Sequence, residues 1–226
     1  MKRTLVVVTR LGWAWNGRVP SEDAVAAREE LLRRVTAASL RQVQASFDWV
    51  WLVAPERREQ VQEIADRVWP SAVLVAEDGD EEAIAPDATA FAVARLDSDD
   101  AYMPLALEDL ADMDLDPNTI VNWTCGWQLD WAHGWLAERG WALRTQGGFL
   151  AVTSEGREHI PEMLLTGGPH PTARDGRSLI TVLDRSWVRV NHGANTSSKK
   201  WPGLPCLPDA HRDEILSMAG IDWRTA

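Results

Sequence analysis

The chain has almost no cysteine, few aromatic residues besides tryptophan, no long apolar run and a shortage of basic residues. Each shortage removes a class of protein. Two cysteines in 226 residues, Cys125 and Cys206, allow neither a disulfide framework nor a cysteine-based metal site, and they suit a reducing compartment. The apolar run at residues 5–8 behind Met1-Lys2-Arg3 is too short for a signal segment and ends near Arg10. No stretch approaches the roughly 18 consecutive apolar residues of a membrane span. We therefore expect a cytoplasmic protein with no membrane span. Only 23 Lys and Arg stand against 34 Asp and Glu, a formal charge of -11 with pI near 4.9. A protein that wraps nucleic acid unaided needs a basic surface, so that class is disfavoured, although a local basic cleft stays open.

What is present is ample apolar content, 45% of the chain, enough for one packed domain, which we divide into halves at 1–103 and 104–226. Thirteen tryptophans against one tyrosine and three phenylalanines read either as an unusual core or as stacking surfaces for sugars or bases. Trp123, Trp127, Trp131 and Trp135 recur every four residues, which suits one face of a strand or a drifting stripe on a helix and decides neither. We expect two of them in the core and at least one in an aromatic platform.

Residues 4–9 are β-branched and apolar throughout, the pattern of a strand buried on both faces in a parallel sheet. Ser21 is a suitable N-cap, with Glu22 and Asp23 in the first turn of a helix running to about residue 44. A strand at 47–53 follows. A helix then starts at Pro55, with Val61, Ile64, Ala65 and Val68 on one face. Strands at 71–76 and 88–96 enclose an acidic loop at 77–82. This alternation predicts a doubly wound α/β sheet, whose ligands sit beyond the carboxyl ends of the strands. After a helix at 104–113 we expect short strands at 119–123, 127–131 and 149–153, with Gly126, Gly140, Gly147 and Gly148 near turns. A helix at 155–165, a loop at 167–176, apolar stretches at 179–183 and 187–191 and a helix at 209–218 complete the chain.

Arg95-Leu96-Asp97-Ser98-Asp99-Asp100 stands out by position. An Asp-x-Asp is common in so acidic a chain, and Asp78-Gly79-Asp80 in the acidic loop reads as solvated surface. Asp112-Met113-Asp114-Leu115-Asp116 fails the calcium-loop pattern, with Pro117 where glycine belongs and Trp123 where a bidentate glutamate belongs. Only the 97–100 cluster ends a buried-type strand. There two carboxylates can share a divalent cation, Mg²⁺ or Mn²⁺, which neutralises charge on a departing diphosphate. The competing reading makes Asp99 or Asp100 an N-cap of the following helix, worth about 1 kcal/mol. Lys199 and Lys200 offer point charges for a diphosphate, or simply a solvated loop.

The segment 95–101, together with Ala38-Ser39-Leu40-Arg41-Gln42-Val43-Gln44 ahead of Phe47-Asp48-Trp49, resembles the bacterial rhamnosyltransferase-like family, a branch of the GT-A-fold glycosyltransferases. The likeness spans roughly residues 4–200. It implies a Rossmann-like mixed central sheet flanked by helices, with a β-rich acceptor-binding half. It also implies a nucleoside-diphosphate sugar as donor and a metal held by Asp97 and Asp99. Thr9, Arg10 and Arg95 would then lie near the nucleotide, with Asp78 touching base or ribose. Enzymes of this fold complete the metal shell with a late histidine, for which His192, at a strand-to-loop junction before Gly193, is the candidate. The base would be a carboxylate on the acceptor side. Asp175 stands roughly where the family carries it, although Arg174 replaces the preceding acid; His170 comes next and Asp184 third. The acceptor is open: a glycan, a lipid-linked glycan, a protein or a modified DNA base, the last disfavoured by charge. Two other classes are weighed against this one. They are a non-catalytic carbohydrate- or partner-binding protein and a nucleotidyltransferase using the same aspartates.

Overall fold

A computed structural model describes residues 3–13, 18–76, 90–140, 150–155, 178–192 and 205–224. Asp78, His170, Asp175, Lys199 and Lys200 lie outside them, as do the loops at 77–82 and 167–176 and, apart from Glu155, which ends a strand, the expected helix at 155–165.

The first half is the α/β unit that the alternation predicts. Strands β1 (Thr4–Arg10), β2 (Phe47–Val53), β3 (Val73–Ala76) and β4 (Ala90–Arg95) pair in parallel in the order β3-β2-β1-β4. Because side chains alternate, Leu5 and Val7 enter one core with Trp49, Trp51 and Val53. Val6 and Val8 enter another with Val50, Leu52, Phe91 and Val93 on the opposite face. Burial on both faces is why β1 carries no polar alternation.

Helix α1 (Glu22–Leu31) starts where expected, with Ser21 Oγ accepting from the Ala24 N–H at 3.3 Å. It does not run on unbroken to residue 44. A π-helical turn, Leu32–Thr36, intervenes, and only a short α2 (Ala37–Leu40) follows. Pro55–Arg57 forms a 3-10 turn leading into α3 (Arg58–Val68), which buries Val61, Ile64, Ala65 and Val68.

The second half departs from the expected short strands. After β5 (Ala101–Tyr102) and α4 (Pro104–Asp112), β6 runs unbroken from Thr119 to Asp130. Gly126 therefore lies within a strand instead of a turn. It sits where β6 and its parallel partner β9 (Ser178–Asn191) slip register, and the Trp187 ring packs against it. A glycine inside a strand marks such a bulge or close approach. The two apolar stretches at 179–183 and 187–191 are likewise one strand. Gly134, with φ +65°, does make a turn, into an unexpected strand β7 (Trp135–Gly140) antiparallel to β6. β8 (Leu150–Glu155) joins β4 to β6, antiparallel to both. The described strands thus form one mixed sheet, β3-β2-β1-β4-β8-β6-β9-β5, with β7 beside β6. The expected class, a mixed sheet flanked by helices with a β-rich second half, is the observed one. Helix α5 (Asp209–Met218) packs Ile215 and Leu216 against Leu129, Val188 and Val190. Among the described residues no helix is long and apolar enough to cross a membrane.

Candidate functional site

In an open α/β sheet the ligand crevice forms where strand order reverses, beyond the carboxyl ends. Here that point is β1, flanked by β2 and β4, and the acidic turn leaves β4 beside it. Val8 of β1 is in register with Arg95 of β4. Two residues on from Val8, Arg10 points to the same face. Both guanidiniums reach one carboxylate: Asp97 Oδ1 accepts from Arg10 at 3.4 Å and from Arg95 at 3.2 Å. Burial pushes the Asp97 carboxyl up, but the opposing charges of Arg95 and Arg10 outweigh it and hold the group at about 2. Arg10 is itself lowered by burial and by Arg95, with Asp97 opposing.

Asp99 faces the other way. Its Oδ2 lies 2.8 Å from His192 Nε2, and both side chains are mostly enclosed, 15% and 11% exposed. The two residues are 93 positions apart. β9 delivers the histidine, and Asp100 ties β9 to the turn: its buried carboxylate accepts from the Val190 N–H at 2.9 Å. Burial first, then the neighbouring Asp99 and Asp97, push the Asp100 carboxyl well above the ordinary range, while Arg189 and the Val190 N–H oppose them. The capping alternative does not apply, since α4 is preceded by Met103 and has no side-chain cap.

The turn is clamped from behind. Thr36 Oγ1 contacts the Asp100 carbonyl at 2.9 Å, where it donates, and lies 3.4 Å from the Asp97 carbonyl. Thr36 closes the π-helical turn, and such turns recur at functional sites because one extra residue re-aims a side chain. Tyr102 Oη adds a bond to the Arg95 carbonyl at 2.8 Å.

No protein-family model matches the chain, and no curated protein matches it. Among solved structures, the chain is similar to the inositol-1-phosphate CTP transferase from T. maritima at 10% identity and TM-score 0.46, covering 98% of this chain and 99% of that one. It is similar to the glycosyltransferase GlyE of Streptococcus pneumoniae TIGR4 at 13% identity and TM-score 0.43, covering 99% of this chain but 62% of that one, less than two thirds of its length. A 4-diphosphocytidyl-2C-methyl-D-erythritol synthase from Anaerococcus prevotii DSM 20548 follows at 12% identity and TM-score 0.38, covering 96% and 95%. These likenesses are of general outline, so the chemistry rests on the side chains themselves.

Of the residues singled out from the sequence, the structure brings Arg10, Arg95 and Asp97 into one cluster and Asp99 and His192 into another on the same turn. Thr9 lies apart: it is fully buried, and its hydroxyl accepts from Trp49 Nε1 at 2.8 Å, a core role. Asp184 is exposed on β9. Asp97, Asp99 and His192 do not converge as three ligands; among the described residues no group of three His, Cys, Asp or Glu side chains is set to hold a metal ion. Two donors remain, a carboxylate oxygen and an imidazole nitrogen. The carboxylate oxygen is the donor type that Mg²⁺ and Mn²⁺ take, whereas an imidazole nitrogen suits Mg²⁺, which prefers oxygen, less well. Two buried polar atoms near the turn, Ser98 Oγ and Arg95 Nε, have no partner, which is consistent with a site that a ligand completes. Of the four tryptophans, Trp123 and Trp127 are buried, Trp131 lies under the Arg34 guanidinium at 4.7 Å, and Trp135 is 45% exposed and stacked on His133.

Sequence reasoning missed Thr36 and the Asp100 tie. Neither has a local signal, because each acts on a partner at least 60 positions away.

Two predictions follow from this geometry. Thr36→Val keeps the shape and removes the donor, and is expected to cost about 1–3 kcal/mol, the range for orphaning a buried acceptor. Thr36→Ser keeps the hydroxyl and is expected to lose about 1 kcal/mol or less. Urea unfolding of the two variants measures the difference, and a loss in Thr36→Val no larger than that in Thr36→Ser would refute the role given to the hydroxyl. The second concerns pH. Asp97 is depressed in the folded state, so its contribution is fully present above the unfolded carboxylate value, about 3.9. It is lost as pH falls through about 2. Stability followed by denaturant from about pH 5 down to 2 should fall less steeply in Asp97→Asn.

Proposed function

We propose that the chain is a metal-dependent transferase of GT-A type, which moves a sugar from a nucleoside-diphosphate sugar to a hydroxyl acceptor. The observation that carries this reading is the contact of Asp99 Oδ2 with His192 Nε2 at 2.8 Å, made between the turn that leaves β4, the neighbour of the switch-point strand β1, and the end of β9. Asp99 and His192 would hold Mn²⁺ or Mg²⁺, which supplies charge neutralisation for a departing diphosphate. Arg10 and Arg95 are the cations for its phosphate oxygens. Their bonds to Asp97 are long, 3.4 and 3.2 Å, and so are readily exchanged for a phosphate, which guanidinium groups bind in bidentate fashion. Asp97 then serves to keep both guanidiniums extended and charged.

In the reaction the bond between the anomeric carbon and the phosphate oxygen breaks, and a bond from the acceptor oxygen forms. The acceptor proton passes to a base, for which Asp175 and then His170 are our candidates. Lys199 and Lys200 are assigned to the diphosphate and Asp78 to the nucleoside. The acceptor is a glycan, a lipid-linked glycan or a modified DNA base.

The test is twofold. Thermal unfolding with Mn²⁺ and a panel of nucleoside diphosphates should show stabilisation that requires both; unchanged melting across the panel counts heavily against the reading. Turnover should release a nucleoside diphosphate from a sugar donor. Release of pyrophosphate from a nucleoside triphosphate would instead make the protein a nucleotidyltransferase.

A further inference from the structure

The outer edge of β9 has a chemistry that the candidate site does not use. From Ser178 to Arg185 the strand pairs with β6 on one side, while β5 reaches its other side only at Trp187 and Val188. Among the described residues no strand pairs with that edge between residues 178 and 185. It is also apolar: Leu179, Ile180 and Leu183 are 40%, 38% and 65% exposed, half of the six large exposed hydrophobic side chains among the described residues. An open apolar edge is a template for another strand.

The backbone tells which groups face outward. The Val182 carbonyl turns toward β6, where Thr124 Oγ1 donates to it at 3.2 Å. Backbone polar groups alternate sides along a strand, so Leu179, Thr181 and Leu183 present theirs to the edge away from β6. The segment Leu179-Ile180-Thr181-Val182-Leu183 reads nearly the same from either end. A two-fold axis through Thr181 would set Leu opposite Leu, Ile opposite Val, and Thr opposite Thr. Ser178 would meet Asp184, so no like charges oppose each other as far as residues 178 and 184; the pair of Arg185 with Arg177 falls beyond the ladder. This self-complementarity is what an isologous contact requires, and aliphatic and Thr–Thr cross-strand pairs favour it.

We propose that two copies of the chain pair their β9 edges antiparallel about Thr181, extending the sheet across a two-fold axis into a homodimer. The register slip of β9 after Val182 limits the ladder to about these five residues per strand. The interface is therefore small, and the dimer is weak and concentration-dependent, with a dissociation constant on the order of 10–100 µM.

Sedimentation velocity from about 1 to 300 µM, a range that brackets this constant, tests it. The mass should rise from 25.2 kDa toward twice that value. The double variant Leu179→Lys/Leu183→Lys places charges on an exposed edge, which blocks pairing, and should stay monomeric with an unchanged far-ultraviolet spectrum. Amide exchange should slow at Leu179, Thr181 and Leu183 as concentration rises. The proposal is overturned by a wild-type chain that stays monomeric throughout, by a dimer that survives the double substitution, or by protection confined to other segments.

Discussion

Gly126→Ala is expected to lower stability by about 3 kcal/mol or more, the upper range for overpacking a filled core. A Cβ at this position would lie 2.2 Å from one Trp187 ring carbon, 2.5 Å from another and 2.5 Å from the Trp187 carbonyl oxygen. The ring cannot swing away, because Trp187 is fully buried and its Nε1 donates to the Trp123 carbonyl at 3.1 Å. Nor can the carbonyl, since it is part of β9. Relief requires parting β6 from β9, the pair that runs through the centre of the second half and carries His192. For a chain of this length the loss corresponds to about 6–12 °C in Tm. Gly140→Ala is the control. Among the described residues its Cβ would meet only Cys125 Sγ, at 3.8 Å, an ordinary contact, and the variant should melt within about 2 °C of the parent. Calorimetry on the two proteins checks this, and equal melting temperatures would refute the packing argument.

Asp99→Asn is expected to abolish stabilisation by Mn²⁺ with a nucleoside diphosphate and to lower turnover by about 10²–10³, as removal of a key electrostatic contact does. In the parent, ligand at a hundredfold excess over its dissociation constant contributes about 2.7 kcal/mol, or roughly 5–10 °C. The variant separates loss of a site from loss of a fold. Asn has nearly the same shape and can still hydrogen-bond His192, and removing the Asp99 charge relieves repulsion on the buried Asp100, so the ligand-free protein should melt close to the parent. His192→Ala should lose the same ligand-dependent rise. If the rise persists in Asp99→Asn, the metal is not held where we place it.

The sequence by itself determined the elements whose burial pattern is local. β2 spans the expected residues 47–53, and β1 extends the expected strand by one residue, to Arg10. The central positions of these strands, Leu5–Val8 and Trp49–Val53, are apolar and buried on both faces. α3 buries the four residues that its periodicity picked out, because a helix on a sheet buries one stripe. The acidic turn was legible for a similar reason, since a buried strand must end before charges begin. Tertiary structure decided the rest. Gly126 looked like a turn because its missing side chain carries no information about which neighbour fills the space; only the Trp187 ring, 61 positions on, explains it. Whether Asp99 was a helix cap or part of a site depended on what stood opposite it. Local preference allows both; in the structure α4 has no side-chain cap, and β9 brings His192 to 2.8 Å from Asp99. Likewise nothing near Asp97 in sequence announces Arg10, whose guanidinium arrives from another strand through the pairing of β1 with β4. Composition and periodicity record what each residue wants from solvent and from its own backbone. They do not record which distant residue supplies a charge or a ring, and a site built across four strands and a π-helical turn consists of those meetings.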